Sequence, residues 1–286
     1  MRLIKYFFQF LFIIFFFSLF KILGFKISSG IGGRLFEIIG PFFRSKKLIH
    51  SNIKRAFPEI TTHETKKITK LMWNNYGRVF AEYMFIKNFR FEKIDSKIEI
   101  VGGEILAEIK KSSKPVVFIS GHFSNFELMA MYIEKAGIEL SAIYRPLNNI
   151  FLNKKIEKIR KKYICKNQIK KGIGGIRELI KFQNNNFSTA LMIDQRVSEG
   201  KKANFFNQEA YTTTIPAQLA KKFDMSIVPI FIQRVDDTNF KININKPLNF
   251  LKSDSIIDIT NKLNEILEDM ILKNPGQWIW SHNRWK

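Results

Sequence analysis

The chain has a single cysteine, Cys165, in 286 residues. That excludes an internal disulfide framework and gives no sign of a cysteine metal site. Histidines are nearly as scarce: His50, His63, His122 and His282 stand in no His-Glu-x-x-His pattern, so no metal centre is expected. There is no Gly-x-Ser-x-Gly elbow to present a nucleophilic serine. Gly172-Ile173-Gly174-Gly175 matches neither a dinucleotide loop nor a Walker loop. Repeats and low-complexity linkers are missing as well. Acidic residues are few, with 25 Asp and Glu against 47 Lys and Arg, a net charge of +22. Such a field favours nucleic acid, anionic lipid or an acidic protein partner, and says nothing about fold.

Aromatic residues crowd the N-terminus. Nine of the 29 phenylalanines lie in the first 25 positions, and Tyr6 to Phe20 is apolar apart from Gln9 and Ser18. Those fifteen residues give a helix of ~22 Å, short of a ~30 Å hydrocarbon core. Continued through Ile22 to Phe25, with Lys5 and Lys21 reaching toward the interfaces, the helix is long enough to span. A cleaved signal peptide competes with this reading, but Ile27-Ser28-Ser29-Gly30 offers no Ala-x-Ala-like site. Lys26, Arg34, Arg44, Lys46 and Lys47 follow, and a basic flank favours the cytoplasmic side for everything downstream. Residues 1–26 are therefore expected to be an uncleaved membrane anchor, spanning or re-entrant. Residues 27–286 are expected to form one domain.

Within that domain, residues 27–95 read as helical, and Thr61-x-x-Glu64 has the pattern of a capping box. From about 97 onward, strands alternate with helices. Strands are expected at 115–120, 139–145, 187–194, 225–233 and 240–246, and helices at 126–136, 151–165, 173–183, 214–223 and 255–273. Short apolar strands between amphipathic helices predict an α/β fold, a mixed central sheet covered by helices.

The most informative stretch is Ser120-Gly121-His122-Phe123-Ser124-Asn125-Phe126-Glu127, between the apolar run 115–119 and a helical pattern. It delivers a histidine and a carboxylate to the carboxyl end of a strand, where open α/β sheets place ligands. With His122 in the turn and Glu127 in the first helical turn, the two side chains can meet. A carboxylate on one imidazole nitrogen leaves the other free to take a proton. The plainer alternative is a capping or structural histidine. Arg145 ends the next strand, where its fork of donors suits an oxyanion or a phosphate; the alternative is a surface arginine in a turn. Asp194 ends a third strand, where many aspartates only cap helices. Three polar groups at three strand ends predict one shared site. The block 150–172 carries nine Lys and Arg against Glu157, with Leu152, Ile156, Ile159 and Tyr163 as its apolar stripe. It reads as a solvated helix face, or as a docking surface for an acidic partner or anionic headgroups.

The chain resembles the lipid A biosynthesis acyltransferases, the lauroyl and myristoyl transferases, within the wider lysophospholipid acyltransferase-like group. The resemblance rests on Phe57-Pro58-Glu59, Gly121-His122-x4-Glu127, Tyr144-Arg145-Pro146-x-Asn148-Asn149, Asp194-Gln195, Phe205-Phe206, Thr212-Thr213-Thr214-x-Pro216-Ala217 and Gln277-Trp278-x-Trp280-x-His282-x-Arg284-Trp285. Phe126 stands where the family usually has Trp, and Asn207 where Gly commonly follows the Phe pair. The resemblance implies a glycerolipid acyltransferase-like core and transfer of a fatty acyl group from acyl carrier protein to a hydroxyl of a lipid A precursor, with no cofactor. It implies His122 as general base, Glu127 orienting it and Arg145 stabilising the thioester oxyanion. Substrate-binding positions would be Tyr144, Asn148, Asn149, Asp194, Gln195 and Arg284. Partners would be acyl carrier protein, the precursor glycolipid and membrane phospholipids, with no nucleic acid. The place would be the bacterial inner membrane, with the catalytic domain facing the cytoplasm. Two alternatives remain: a same-fold acyltransferase for another phospholipid or glycolipid, and a non-catalytic basic binder of membrane or nucleic acid.

Overall fold

The apolar N-terminal segment forms one unbroken helix, α1 (Arg2–Leu23), in the computed structural model, which describes residues 2–94 and 97–286. Residue 95, where the helical stretch was expected to end, lies outside the described residues. Gly24, at φ 79°, turns the chain into α2 (Phe25–Ile39) and a 3₁₀ turn at Gly40–Phe42. Then follow α3 (Lys46–Ala56), α4 (Thr62–Glu82), a 3₁₀ turn at Tyr83–Phe85 and α5 (Ile86–Arg90). The expected capping box opens α4, Thr61 and Glu64 each accepting the other's backbone N–H. α2 and α4 cross at backbone contact. A Cβ on Gly77 would stand 1.9 Å from Gly32 O, so no larger residue fits there.

The remaining elements are β1 (Ile98–Val101), α6 (Gly103–Ser112), β2 (Val117–Ser120), α7 (Glu127–Lys135), β3 (Leu140–Tyr144), α8 (Ile150–Tyr163), β4 (Asn167–Lys170), α9 (Ile173–Asn184), β5 (Ser188–Met192), β6 (Lys201–Phe205), β7 (Gln208–Thr212), α10 (Ile215–Phe223), β8 (Ile227–Arg234), β9 (Phe240–Ile244) and α11 (Ile256–Lys273). Seven strands form one sheet in the order β1-β9-β8-β2-β5-β3-β4. β2, β3, β4, β5 and β8 run parallel, whereas β9 is antiparallel to β8 and pairs in parallel with β1. This is the expected mixed α/β sheet, with an apolar core on each face. All five expected strands are present; four are shortened, and β8 starts two residues later and ends one residue later than expected.

The sequence hid the sheet edges. β1 and β4 are only four residues long, too short to show a strand period, and three of the four residues of β4 are polar. Helix α6 was also missed, as was the β6–β7 hairpin, six of whose ten strand residues are polar. Its two-residue turn places Phe206 at φ 51° and Asn207 at φ 56°. Asn is one of the few side chains that tolerates this left-handed backbone, which accounts for its standing where Gly is common.

The sheet register sets up the site. β2 and β5 are neighbours with Ser120 level with Met192. The bond from Ile193 N to Ser120 O (2.9 Å) carries the pairing one step further. Residues two beyond each strand, His122 and Asp194, therefore emerge side by side at the carboxyl end of the sheet.

Candidate active site

His122 Nδ1 lies 2.7 Å from Asp194 Oδ1, and the backbone N–H of His122 donates to Asp194 Oδ2 at 2.8 Å. Trp278 Nε1 donates to the same Oδ2 at 3.0 Å. The carboxylate is completely buried. Burial alone would raise its pKa, but His122 and these donors outweigh burial and hold it below the ordinary carboxylate range. An ionised Asp194 facing Nδ1 fixes that nitrogen as the protonated one. Nε2 has no hydrogen-bond partner among the described residues, and the ring lines the adjoining pocket, packed edge-on against Phe126 at 4.7 Å. The imidazole is thus oriented, backed by negative charge and open on its basic side.

The carboxylate that meets His122 is not Glu127. Glu127 opens α7 and accepts from Arg160 Nε (2.9 Å) and Nη2 (2.5 Å), with both side chains largely buried. Burial disfavours the Arg160 charge, yet Glu127 and the neighbouring Tyr83 hold its pKa above the ordinary value. Within the block read as a solvated helix face or docking surface, Arg160 turns inward. Lys154, Lys155, Lys158, Lys161 and Lys162 are exposed.

The turn that carries His122 is pinned from beneath. Glu82, fully buried on α4, accepts from Ser29 Oγ, Asn125 Nδ2 and both terminal nitrogens of Arg234. Ser124, at φ 46°, donates its N–H to Gln277 O. These contacts hold an unusual backbone in one conformation.

A pocket of about 450 Å³ opens beside His122. Its polar rim includes Arg145, Asn148, Gln195 and Arg196, and its depth is lined by Met129, Ala130, Ala142, Ile164 and Ala190. Glu127, Arg160 and the buried Tyr144 also line it. Arg145 is exposed at the mouth and has no ion-pair partner among the described residues. So the structure brings His122, Glu127, Tyr144, Arg145, Asn148 and Gln195 to one cavity, with Asp194 directly behind the histidine.

Two expected substrate ligands are committed elsewhere. Asn149 caps α8, accepting from Phe151 N and Leu152 N and donating to Tyr6 O. Arg284 is wholly buried, donates to Tyr211 O and Thr212 Oγ1, and stacks 4.6 Å over Phe205. Burial lowers its pKa to about 10. It braces the β6–β7 hairpin and is not among the residues lining the pocket.

Sequence reasoning gave no site role to Trp278, Arg160, Glu82 or His282, although Trp278 and His282 stand in the motif that carries the resemblance. His282 Nε2 accepts the N–H of Arg196 at 2.9 Å, holding the segment that follows Asp194. Burial lowers its pKa to about 4, keeping it neutral as that bond requires. Among the described residues, no group of three His, Cys, Asp or Glu side chains is placed to hold a metal ion.

Comparison with known proteins converges on one family. The family model for bacterial lipid A biosynthesis acyltransferase matches residues 1–286. The lipid A biosynthesis lauroyltransferase of Escherichia coli (strain K12) is 23% identical over 255 residues, 85% of this chain and 79% of that protein. The myristoyltransferase of the same organism is 22% identical over 253 residues, covering 87% and 76%. Its palmitoleoyltransferase is 19% identical over 267 residues, covering 90% and 84%. A whole-chain match, with His122 and its carboxylate beside the pocket at the sheet's carboxyl end, places this chain in the bacterial lipid A biosynthesis acyltransferase family.

Proposed function

We propose that the protein transfers a fatty acyl chain from the thioester of acyl carrier protein to a hydroxyl of a lipid A precursor at the bacterial inner membrane, its catalytic domain on the cytoplasmic side. The observation that carries the reading is the His122–Asp194 pair opening onto a pocket with a polar rim and an apolar depth. In the proposed step His122 Nε2 takes the proton of the acceptor hydroxyl as its oxygen attacks the thioester carbonyl carbon. Asp194 stabilises the imidazolium that forms. Negative charge gathers on the carbonyl oxygen, and the guanidinium of Arg145, without an ion-pair partner among the described residues, is the donor proposed to stabilise it. Collapse breaks the C–S bond, the proton on His122 passes to the leaving thiolate, and ester and free thiol result. Direct transfer is simpler than an acyl-enzyme, because the pocket presents no activated serine or cysteine. Cys165 is buried, and burial pushes its thiol up to about 12.

Three small residues, Ala130, Ala142 and Ala190, leave room in the depth for an acyl chain next to Met129 and Ile164. Exposed lysines on α8 suit the acidic carrier protein, and the basic surface as a whole suits phosphates of the acceptor. No cofactor enters the step.

The test is to incubate the purified full chain with acyl carrier proteins bearing several chain lengths and a tetraacylated lipid A precursor, then weigh the products. One added acyl chain, with released carrier thiol in equal amount, is the expected result. Turnover of another glycolipid in preference to the precursor would reassign the acceptor. Salt-sensitive nucleic-acid binding without thioester turnover would remove the enzyme reading.

A further inference from the structure

α1 has two faces that its uniformly apolar composition conceals. Tyr6, Phe10, Ile13, Phe17 and Phe20 follow one another at steps of three and four residues and turn toward the domain. Tyr6 O accepts from Asn149 Nδ2 at 2.8 Å, Phe10 meets Phe151 at 6.1 Å, Phe17 meets Phe80 at 5.0 Å, and Phe20 is wholly buried. Ile4, Phe8, Phe12, Phe15, Leu19 and Ile22 repeat the same steps on the opposite side and stand exposed. The inward contacts extend from residue 6 to residue 20, which is ~21 Å of helix axis. A helix crossing a ~30 Å hydrocarbon core upright would carry that whole flank of the domain into lipid. The first turns of α8, with exposed Lys154 and Lys155 just beyond Phe151, would go with it, where charges are strongly disfavoured.

A second exposed apolar site lies across the pocket mouth. Phe42 and Phe43 are 87% and 65% exposed in the turn after α2. Phe43 stacks on Phe36, Phe36 meets Phe80, and Phe80 meets Phe17, so one aromatic row joins this turn to α1. Arg44 Nε donates to Ser281 O, next to His282, which places the turn on the site's other flank. α1 touches Asn149, the neighbour of the mouth residue Asn148. The first 58 residues carry ten Lys and Arg against one acid, Glu37, a balance that complements anionic headgroups.

We propose that α1 lies in the plane of an anionic bilayer surface and does not cross it, with the Phe42–Phe43 turn as a second foothold in the same leaflet. The pocket mouth then faces lipid between the two, as interfacial helices with one lipid-facing stripe do. This rests on reading α1 as membrane-contacting.

The test adds full-length single-site variants to preformed vesicles of phosphatidylethanolamine and phosphatidylglycerol; native Cys165 is buried and spared. Arg2→Cys and Lys21→Cys, at the two ends of α1, should both react fully with a membrane-impermeant maleimide added outside. Bimane placed at Phe12→Cys and at Phe42→Cys should be quenched severalfold more by shallow than by deep spin-labelled lipid. If Arg2→Cys reacts only after detergent, or Phe12→Cys is quenched best at the bilayer centre, α1 spans and the proposal falls. An unquenched Phe42→Cys removes the second foothold. Failure of every variant to bind vesicles overturns the membrane reading itself, a result distinguishable from a wrong orientation.

Discussion

Asp194 and Glu127 are both buried carboxylates at one pocket, and they hold opposite kinds of partner. Asp194 sits behind the sheet end and faces an imidazole that can gain and lose a proton. Glu127 sits at the start of a helix and faces a guanidinium that stays charged. A carboxylate paired with a titratable base can couple to chemistry, because its partner changes charge during the reaction. One locked to an arginine forms a neutral, immobile wall. The contrast separates the two acids by partner, although the five-residue spacing in the chain favours Glu127.

The largest expected effect is at the histidine. His122→Ala should lower acyl transfer ~10²–10⁴-fold with the thermal midpoint little changed. Asp194→Asn should lower it at least ~10²-fold, since an amide cannot back an imidazolium and favours the wrong tautomer. A second substitution sharpens the comparison. Glu127→Gln should be damaging but should retain more activity than Asp194→Asn. The reverse order would return the orienting role to Glu127.

Next in size is the wall. Glu127→Gln leaves Arg160 buried without a counter-ion, an imbalance that costs on the order of 3 kcal/mol of stability. Adding Arg160→Met should recover much of the loss in chemical denaturation. If the double variant is no more stable than the single one, the pair is not the unit described.

Why the site was half legible follows from these residues. His122 and Asp194 were recognisable because each ends an apolar strand. Their pairing was not, because it depends on β2 lying beside β5, across 72 residues of chain. Local spacing therefore nominated Glu127. Arg160 looked like one more lysine-face residue, and only its inward turn reveals otherwise. Glu82 sits on an amphipathic helix with nothing in its neighbourhood to signal burial, yet it is wholly buried with four donors on it. The central strands were legible because each sits in a longer, mostly apolar run bounded by turn residues. The edge strands were not: β1 is apolar but only four residues long, and β4 is equally short and mostly polar.

A smaller effect is expected at His282. Its pKa falls from the ordinary 6.5 to about 4 in the fold, so the unfolded chain binds the extra proton first on acidification. Stability from the neutral ring is complete above pH 6.5 and is lost as pH falls toward about 4. His282→Gln should flatten the thermal midpoint against pH across that window, and an unchanged slope would contradict the assignment. The smallest effect is expected on α8. Lys154, Lys158 and Lys161 reversed to Glu should weaken apparent affinity for acyl carrier protein, chiefly at low salt, with turnover at saturating donor little altered. Unchanged carrier kinetics with lost vesicle binding would assign that face to the membrane.

Trp278 completes the cage around Asp194, and Gln277 holds the turn at Ser124. Two adjacent residues, the second of them 84 positions from the aspartate in the chain, therefore grip both the carboxylate and the turn that carries the histidine. Gln277 is itself tied to the end of β8, donating to Arg234 O and accepting its N–H. Loosening this short segment would release the backing of the imidazole and its position together, with the pocket walls untouched. The site is therefore built to be lost as a unit and not worn away one contact at a time.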